Sequence, residues 1–172
     1  PNLPELERCI ETFLQLSERI GAARVIWRYD PVILSSRTDV SYHQQRFGYI
    51  LERLQAATRR IVVSIVDDYR KASHNFKRLQ VQGLTIQTDY SAEQLASLCT
   101  FMSERAGQHN IPVYSCAEKI DLTPFGISPG KCVDGELITR LFGIQVKNGK
   151  DRSQRKDCGC LQSKDIGGYD TC

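Results

Sequence analysis

Over residues 4–20 the apolar side chains Leu6, Ile10, Phe13, Leu14 and Ile20 recur at helical spacing, with Gly21 placed to stop the helix. Val25-Ile26-Trp27-Arg28-Tyr29-Asp30-Pro31 is β-branched and aromatic up to a proline that cannot donate to a sheet ladder, and predicts a strand with a polar end. Helical period returns from Ser41, with Phe47, Ile50, Leu51 and Leu54 on one stripe and charges opposite. Residues 61–66 form a β-branched run, the pattern of a parallel strand covered on both faces, closed by Asp67 and Asp68. A third helix is predicted over 69–79 through Tyr69, Ala72, Phe76 and Leu79, then a loop over 83–89. The capping box Ser91-Ala92-Glu93-Gln94 opens a fourth helix carrying Leu95, Leu98, Cys99 and Met102. Residues 111–116 predict a third strand ending near Glu118. Thr123-Pro124 suggests a short helical turn, and 134–142 another helix stopped by Gly143.

This alternation is that of a parallel sheet with helices outside it, joined by right-handed crossovers. The three strands visible in the pattern are too few to close a barrel but suit an arc of one. The expected class is therefore α/β: parallel strands alternating with helices over 1–146, an arc of a TIM-type barrel, followed over 147–172 by a polar Cys/Gly-rich tail lying outside the core.

Composition narrows the function classes. The chain has 172 residues, 41% of them apolar, which suits one compact domain and rules out disorder. With 23 Lys+Arg against 20 Asp+Glu the net charge is only +3, so bulk charge announces neither a nucleic-acid nor a membrane surface. No run approaches the roughly 18 apolar residues of a membrane span, and the N-terminus lacks the pattern of a signal peptide. A cytoplasmic setting is expected. Because the sequence starts on Pro1 and stops on Cys172, the protein is expected to extend beyond both ends.

Parallel α/β folds place their sites at the carboxyl ends of the strands. Polar residues gather there: Arg28 and Asp30 end the first strand on one face of its alternation, Asp67 and Asp68 end the second, and Ser115, Cys116, Glu118 and Lys119 end the third. Carboxylates beside cations can position a charged ligand or bind a metal ion, although Asp67 or Asp68 would equally serve to cap the next helix. Trp27, the single tryptophan, is expected in the core. His43, His74 and His109 lack a second histidine at ligand spacing and are read as surface or helix residues, and Arg59-Arg60 as a solvated helix end.

The cysteines carry the most specific signal. Of seven, Cys158 and Cys160 flank Gly159, and eleven residues later comes Cys172. Clustered thiolates on a glycine-bearing segment suit zinc or an iron–sulfur centre. A fourth ligand would come from Cys116, Cys132 or sequence outside the chain, and a redox-active or adventitious Cys-x-Cys pair is the competing explanation.

Four stretches together resemble a prokaryotic domain family of unknown function whose members are similar to distant relatives of radical SAM enzymes. They are Val25-Ile26-Trp27-Arg28-Tyr29-Asp30-Pro31, Cys116-Ala117-Glu118, Gly130-Lys131-Cys132-Val133-Asp134-Gly135-Glu136-Leu137, and Cys158-Gly159-Cys160 leading to Asp165-Ile166-Gly167 and Asp170-Thr171-Cys172. The resemblance implies that Cys172 is the first ligand of a three-cysteine [4Fe–4S] motif that binds and cleaves S-adenosylmethionine, with the other ligands downstream. It implies that Cys158 and Cys160 hold a second metal or brace the cluster loop, and that Arg28, Asp30, Asp67 and Glu118 line the barrel mouth and hold cofactor or substrate. It also implies about a hundred upstream residues supplying the first strands of the barrel. The substrate, small or macromolecular, is left open by the resemblance.

The alternative expectation is a structural zinc–thiolate protein without radical chemistry, using Cys158, Cys160, Cys172 and one more thiol. A nucleic-acid processing protein ranks below both, for want of a basic groove.

Overall fold

A computed structural model describes residues 4–66, 70–146, 149–151, 154–156 and 158–164. The sequence candidates Asp67 and Cys172 lie outside these residues.

Helix α1 (Leu6–Ile20) leads into strand β1 (Trp27–Val32), then α2 (Val40–Leu54), β2 (Ile61–Ile65), α3 (Arg70–Val81) and α4 (Ala92–Gly107). Strand β3 (Val113–Cys116), β4 (Ser128–Gly130) and α5 (Gly135–Phe142) follow, with a 3₁₀ turn at Thr123–Phe125. All strand pairs are parallel and the sheet order is β1-β2-β3-β4. The chain is thus a mixed α/β protein with a four-stranded parallel sheet alternating with helices, as the periodicities predict. Among the described residues no helix is long and apolar enough to cross a membrane.

Local chemistry explains the boundaries. Asp39 caps α2, its side chain accepting from the Tyr42 N–H at 2.8 Å. Ser91 and Gln94 close the expected capping box on α4. The main core lies on one face of the sheet, where Trp27, Ile61, Val63 and Val113 meet Ile10 of α1, Phe47 and Leu51 of α2, and Leu98 and Met102 of α4. Trp27 stacks on Phe47 with ring centroids 4.9 Å apart.

Several expectations change. Pro31 does not end β1 but lies inside it, at a register shift between Tyr29 and Val32. Because β1 is an edge strand, its missing N–H costs no ladder bond on an outer side. Strand β4, Ser-Pro-Gly, escapes sequence patterning because proline and glycine count against strands. Glycine is required there: a Cβ on Gly130 would stand 2.8 Å from the Ser115 carbonyl oxygen. His43 is a helix residue, one of the two expected placements, but it is buried in α2, accepting at Nδ1 from the Tyr29 hydroxyl (2.8 Å) and donating from Nε2 to the Ile33 carbonyl (2.9 Å). Arg60 is no solvated helix end. It pairs with Asp134 at 2.7 Å and lies over the Tyr114 ring, 4.0 Å from its centroid.

The described part of the tail is not loose surface either. Cys158 and Cys160 are only 8% and 7% exposed, and with Ala117 and Val133 they form a small second core. Backbone bonds hold it there: Leu161 N–H donates to Val133, Asp151 N–H to Cys160, and Gln162 N–H to Gly149.

Candidate functional site

The sheet register builds the site. Tyr29, Val63, Ser115 and Pro129 stand in one cross-strand row, so the next positions, Asp30, Ser64, Cys116 and Gly130, form a row one residue nearer the carboxyl end. Side chains alternate along a strand, which turns this row away from the face carrying Trp27, Ile61 and Val113. Its members are polar or small because they meet each other there. The Asp30 carboxylate accepts hydrogen bonds from Arg28 and from the Ser64 hydroxyl.

At the end of β3 the chain turns sharply at Ala117, whose φ of 52° is left-handed. The turn sends its two neighbours to different partners. Glu118 reaches back to β2, its Oε1 accepting the Ile65 N–H at 2.9 Å. Cys116 meets Cys132 of the β4–α5 loop with 3.1 Å between sulfurs.

That loop is fixed by Asp134, which accepts from the Glu136 and Leu137 N–H groups at the start of α5 while pairing with Arg60. The N–H groups of Cys132 and Val133 are thereby aimed at the Cys160 sulfur, at 3.1 and 3.4 Å. Cys158 and Cys160 interact with each other, and Cys158 senses the charge of Cys116. Gly159 passes beneath the Lys131 stem, where a Cβ would come within 3.3 Å of Lys131 Cγ.

Arg28 anchors the thiols from the sheet side, its Nη1 donating to Cys132 Sγ at 2.9 Å. Burial weakens the guanidinium's hold on its proton, but bonds to Cys116, Cys132 and Asp30 outweigh that and keep it firmly charged. The Cys132 thiol and then Arg28 bring Cys116 down to about 6, against burial. Cys132 moves up, because the pair shares one proton and Cys132 keeps it. In the tail pair, burial pushes Cys158 up, whereas at Cys160 bonds from the Val133 amide, Cys158 and the Cys132 amide overcome burial and bring it down.

A family model with the description Domain of unknown function (DUF1848) matches residues 1–172. The chain belongs to this family. No curated protein and no solved structure matches it.

In this DUF1848 chain the structure brings together four of the sequence candidates, Arg28, Asp30, Cys158 and Cys160, and joins Cys116 and Cys132 to them. It holds Glu118 on the β2 backbone instead. The sequence pattern does not single out Ser64, whose signal is a lone hydroxyl inside an otherwise apolar strand. Beside Asp30 a cavity of about 480 Å³, lined by Tyr29, Pro31, Ile33, Arg37 and His43 among others, is of small-molecule size. Among the described residues no three His, Cys, Asp or Glu side chains already enclose a metal-sized point. What the arrangement supplies chemically is a set of sulfur donors, one cation and directed amide N–H groups.

Proposed function

We propose that this DUF1848 chain is the sheet-bearing part of a cytoplasmic iron–sulfur enzyme of radical-SAM-like type, acting on a substrate that its chemistry does not yet name. The observation that carries this reading is the strand order. A parallel sheet running β1-β2-β3-β4 without reversal, with its main core packed on one face, is the winding of a β/α barrel; doubly wound sheets reverse direction at a switch point. Among the described residues nothing pairs with the outer edges of β1 and β4, where further barrel strands would add.

In this reading Cys172 and cysteines following it hold a [4Fe–4S] cluster, which when bound supplies the electron that cleaves S-adenosylmethionine. The described thiols do not provide that three-cysteine motif, so no step is assigned to them. Asp30, held by Arg28, lines the cavity, where the pair would orient a charged cofactor or substrate group. Glu118 would contribute by keeping the β2 end in place, and Asp67 would join the mouth as the sequence suggests.

The test is anaerobic purification of the full-length protein, followed by dithionite reduction in the presence of S-adenosylmethionine. About four irons and four sulfides per chain with release of 5′-deoxyadenosine supports the reading. Loss of neither iron nor sulfide in Cys172→Ala overturns the ligand assignment.

A second reading, a zinc–thiolate centre without radical chemistry, is favoured by one observation: Cys158 and Cys160 are buried in the fold beside Cys132.

A further inference from the structure

Four cysteines from three separate chain segments meet at the carboxyl end of the sheet. Cys116 ends β3, Cys132 lies between β4 and α5, and Cys158 and Cys160 come from the tail. Cys116 meets Cys132 with 3.1 Å between sulfurs, the Cys160 sulfur accepts the Cys132 N–H at 3.1 Å, and Cys158 packs with Cys160 in the small second core. Cys9 and Cys99 lie on helices α1 and α4 and take no part.

We propose that Cys116, Cys132, Cys158 and Cys160 together hold one soft divalent metal ion, zinc by the chemistry of the donors, in a four-thiolate site separate from Cys172. The inference rests on the zinc–thiolate reading above and is independent of radical chemistry.

Three observations carry it. First, Cys160 is buried yet its sulfur accepts two backbone N–H groups, a surplus of donors that suits a thiolate far better than a thiol, itself only a weak acceptor. Second, the small core around these residues holds two of the cysteines and otherwise only Ala117 and Val133. So little apolar surface adds little to the backbone hydrogen bonds that hold this segment, and a metal cross-link would reinforce them. Third, the charges balance in direction: four thiolates around a divalent ion leave two negative charges, and Arg28 with the Cys132 and Val133 amides faces them.

Binding would release the protons of the four thiols and move the sulfurs apart. Tetrahedral coordination at about 2.3 Å sets sulfurs about 3.8 Å from each other. The Cys116 and Cys132 sulfurs, now 3.1 Å apart, therefore spread as the proton between them is replaced by the metal. Gly159 gives the Cys-x-Cys backbone the room to wrap, beneath the Lys131 stem. A disulfide between Cys116 and Cys132 would use only half of the set and leave the amide donors on Cys160 without a role.

The test uses the full-length protein, purified with reductant and loaded with zinc or cobalt(II). About one tightly held metal per chain and an intense sulfur-to-cobalt charge-transfer band are expected. Cys116→Ser, Cys132→Ser, Cys158→Ser and Cys160→Ser should each weaken retention at least tenfold, while Cys9→Ser, Cys99→Ser and Cys172→Ser should keep the metal. Since a serine variant can fail by misfolding, Cys116→His supplies a second arm: it should keep the ion with a weakened charge-transfer band. Zinc undiminished in both Cys116→Ser and Cys132→Ser, with loss on Cys172→Ser, overturns this ligand set but leaves the zinc–thiolate reading standing. No metal retained by the unaltered protein, or a Cys116–Cys132 disulfide in freshly isolated material, overturns both.

Discussion

Arg28 and Cys132 are 104 positions apart in sequence, and the guanidinium of the first donates to the sulfur of the second at 2.9 Å. The contact joins edge strand β1 to the loop beyond the opposite edge strand β4, so it exists only if all four strands are in register. A cation so placed adds to the Cys132 thiol in favouring the ionised form of Cys116. In reduced, metal-free protein Cys116 is expected to react as a thiolate with a midpoint of about 6. Its folded value lies below that of the unfolded chain, so its stabilising contribution is complete above the ordinary thiol range and is lost as pH falls through about 6. Arg28→Ala should move the alkylation midpoint of Cys116 upward by a unit or so. Mass-spectrometric alkylation rates across pH check this, and an unchanged midpoint would remove Arg28 from the account.

Gly130→Ala should destabilise the fold by about 1–3 kcal/mol, because the new methyl meets the Ser115 carbonyl and Tyr114 Cβ, backbone-fixed atoms that cannot move aside. Denaturant unfolding measures it. A neutral result would mean that β4 does not pair with β3 as described.

Asp134→Ala removes the cap of α5 and strands a largely buried Arg60, for a loss of about 1–3 kcal/mol. Burial raises the Asp134 pKa, but Arg60 and the Leu137 and Glu136 amides outweigh it and hold the carboxyl below its usual range. Its contribution is therefore complete above the ordinary carboxylate pKa and lost as pH falls through the lowered one. Asp134→Asn should keep most of the cap and flatten this acid dependence in urea titrations at several pH values.

Phe47→Ala should cost about 3–5 kcal/mol, since the ring is fully buried and stacked on Trp27. As Trp27 is the single tryptophan, its emission should shift to the red in the variant. Unchanged emission would contradict the stacking.

The sequence shows the parallel α/β alternation because its strands and helices carry clean periods; the run over 61–65 is buried at every position, as an internal parallel strand must be. It hides β4, where pairing depends on close approach at Gly130 and not on side-chain pattern. The site divides in the same way. Arg28 and Asp30 alternate on one strand and are visible as a pair, and Cys158-Gly159-Cys160 announces itself by spacing. The meeting of Cys116 with Cys132, and of both with the tail, is a product of sheet register and of the left-handed turn at Ala117. Neither has a local signature. Arg60 misleads for a related reason: its partner Asp134 lies 74 positions away.

The central claim is that four sulfurs share one ion. Zinc-edge X-ray absorption on the zinc-loaded full-length protein tests it most directly. The account predicts a first shell of four sulfurs at about 2.3 Å and no light-atom neighbours. A shell dominated by nitrogen or oxygen, or holding two sulfurs or fewer, would contradict it.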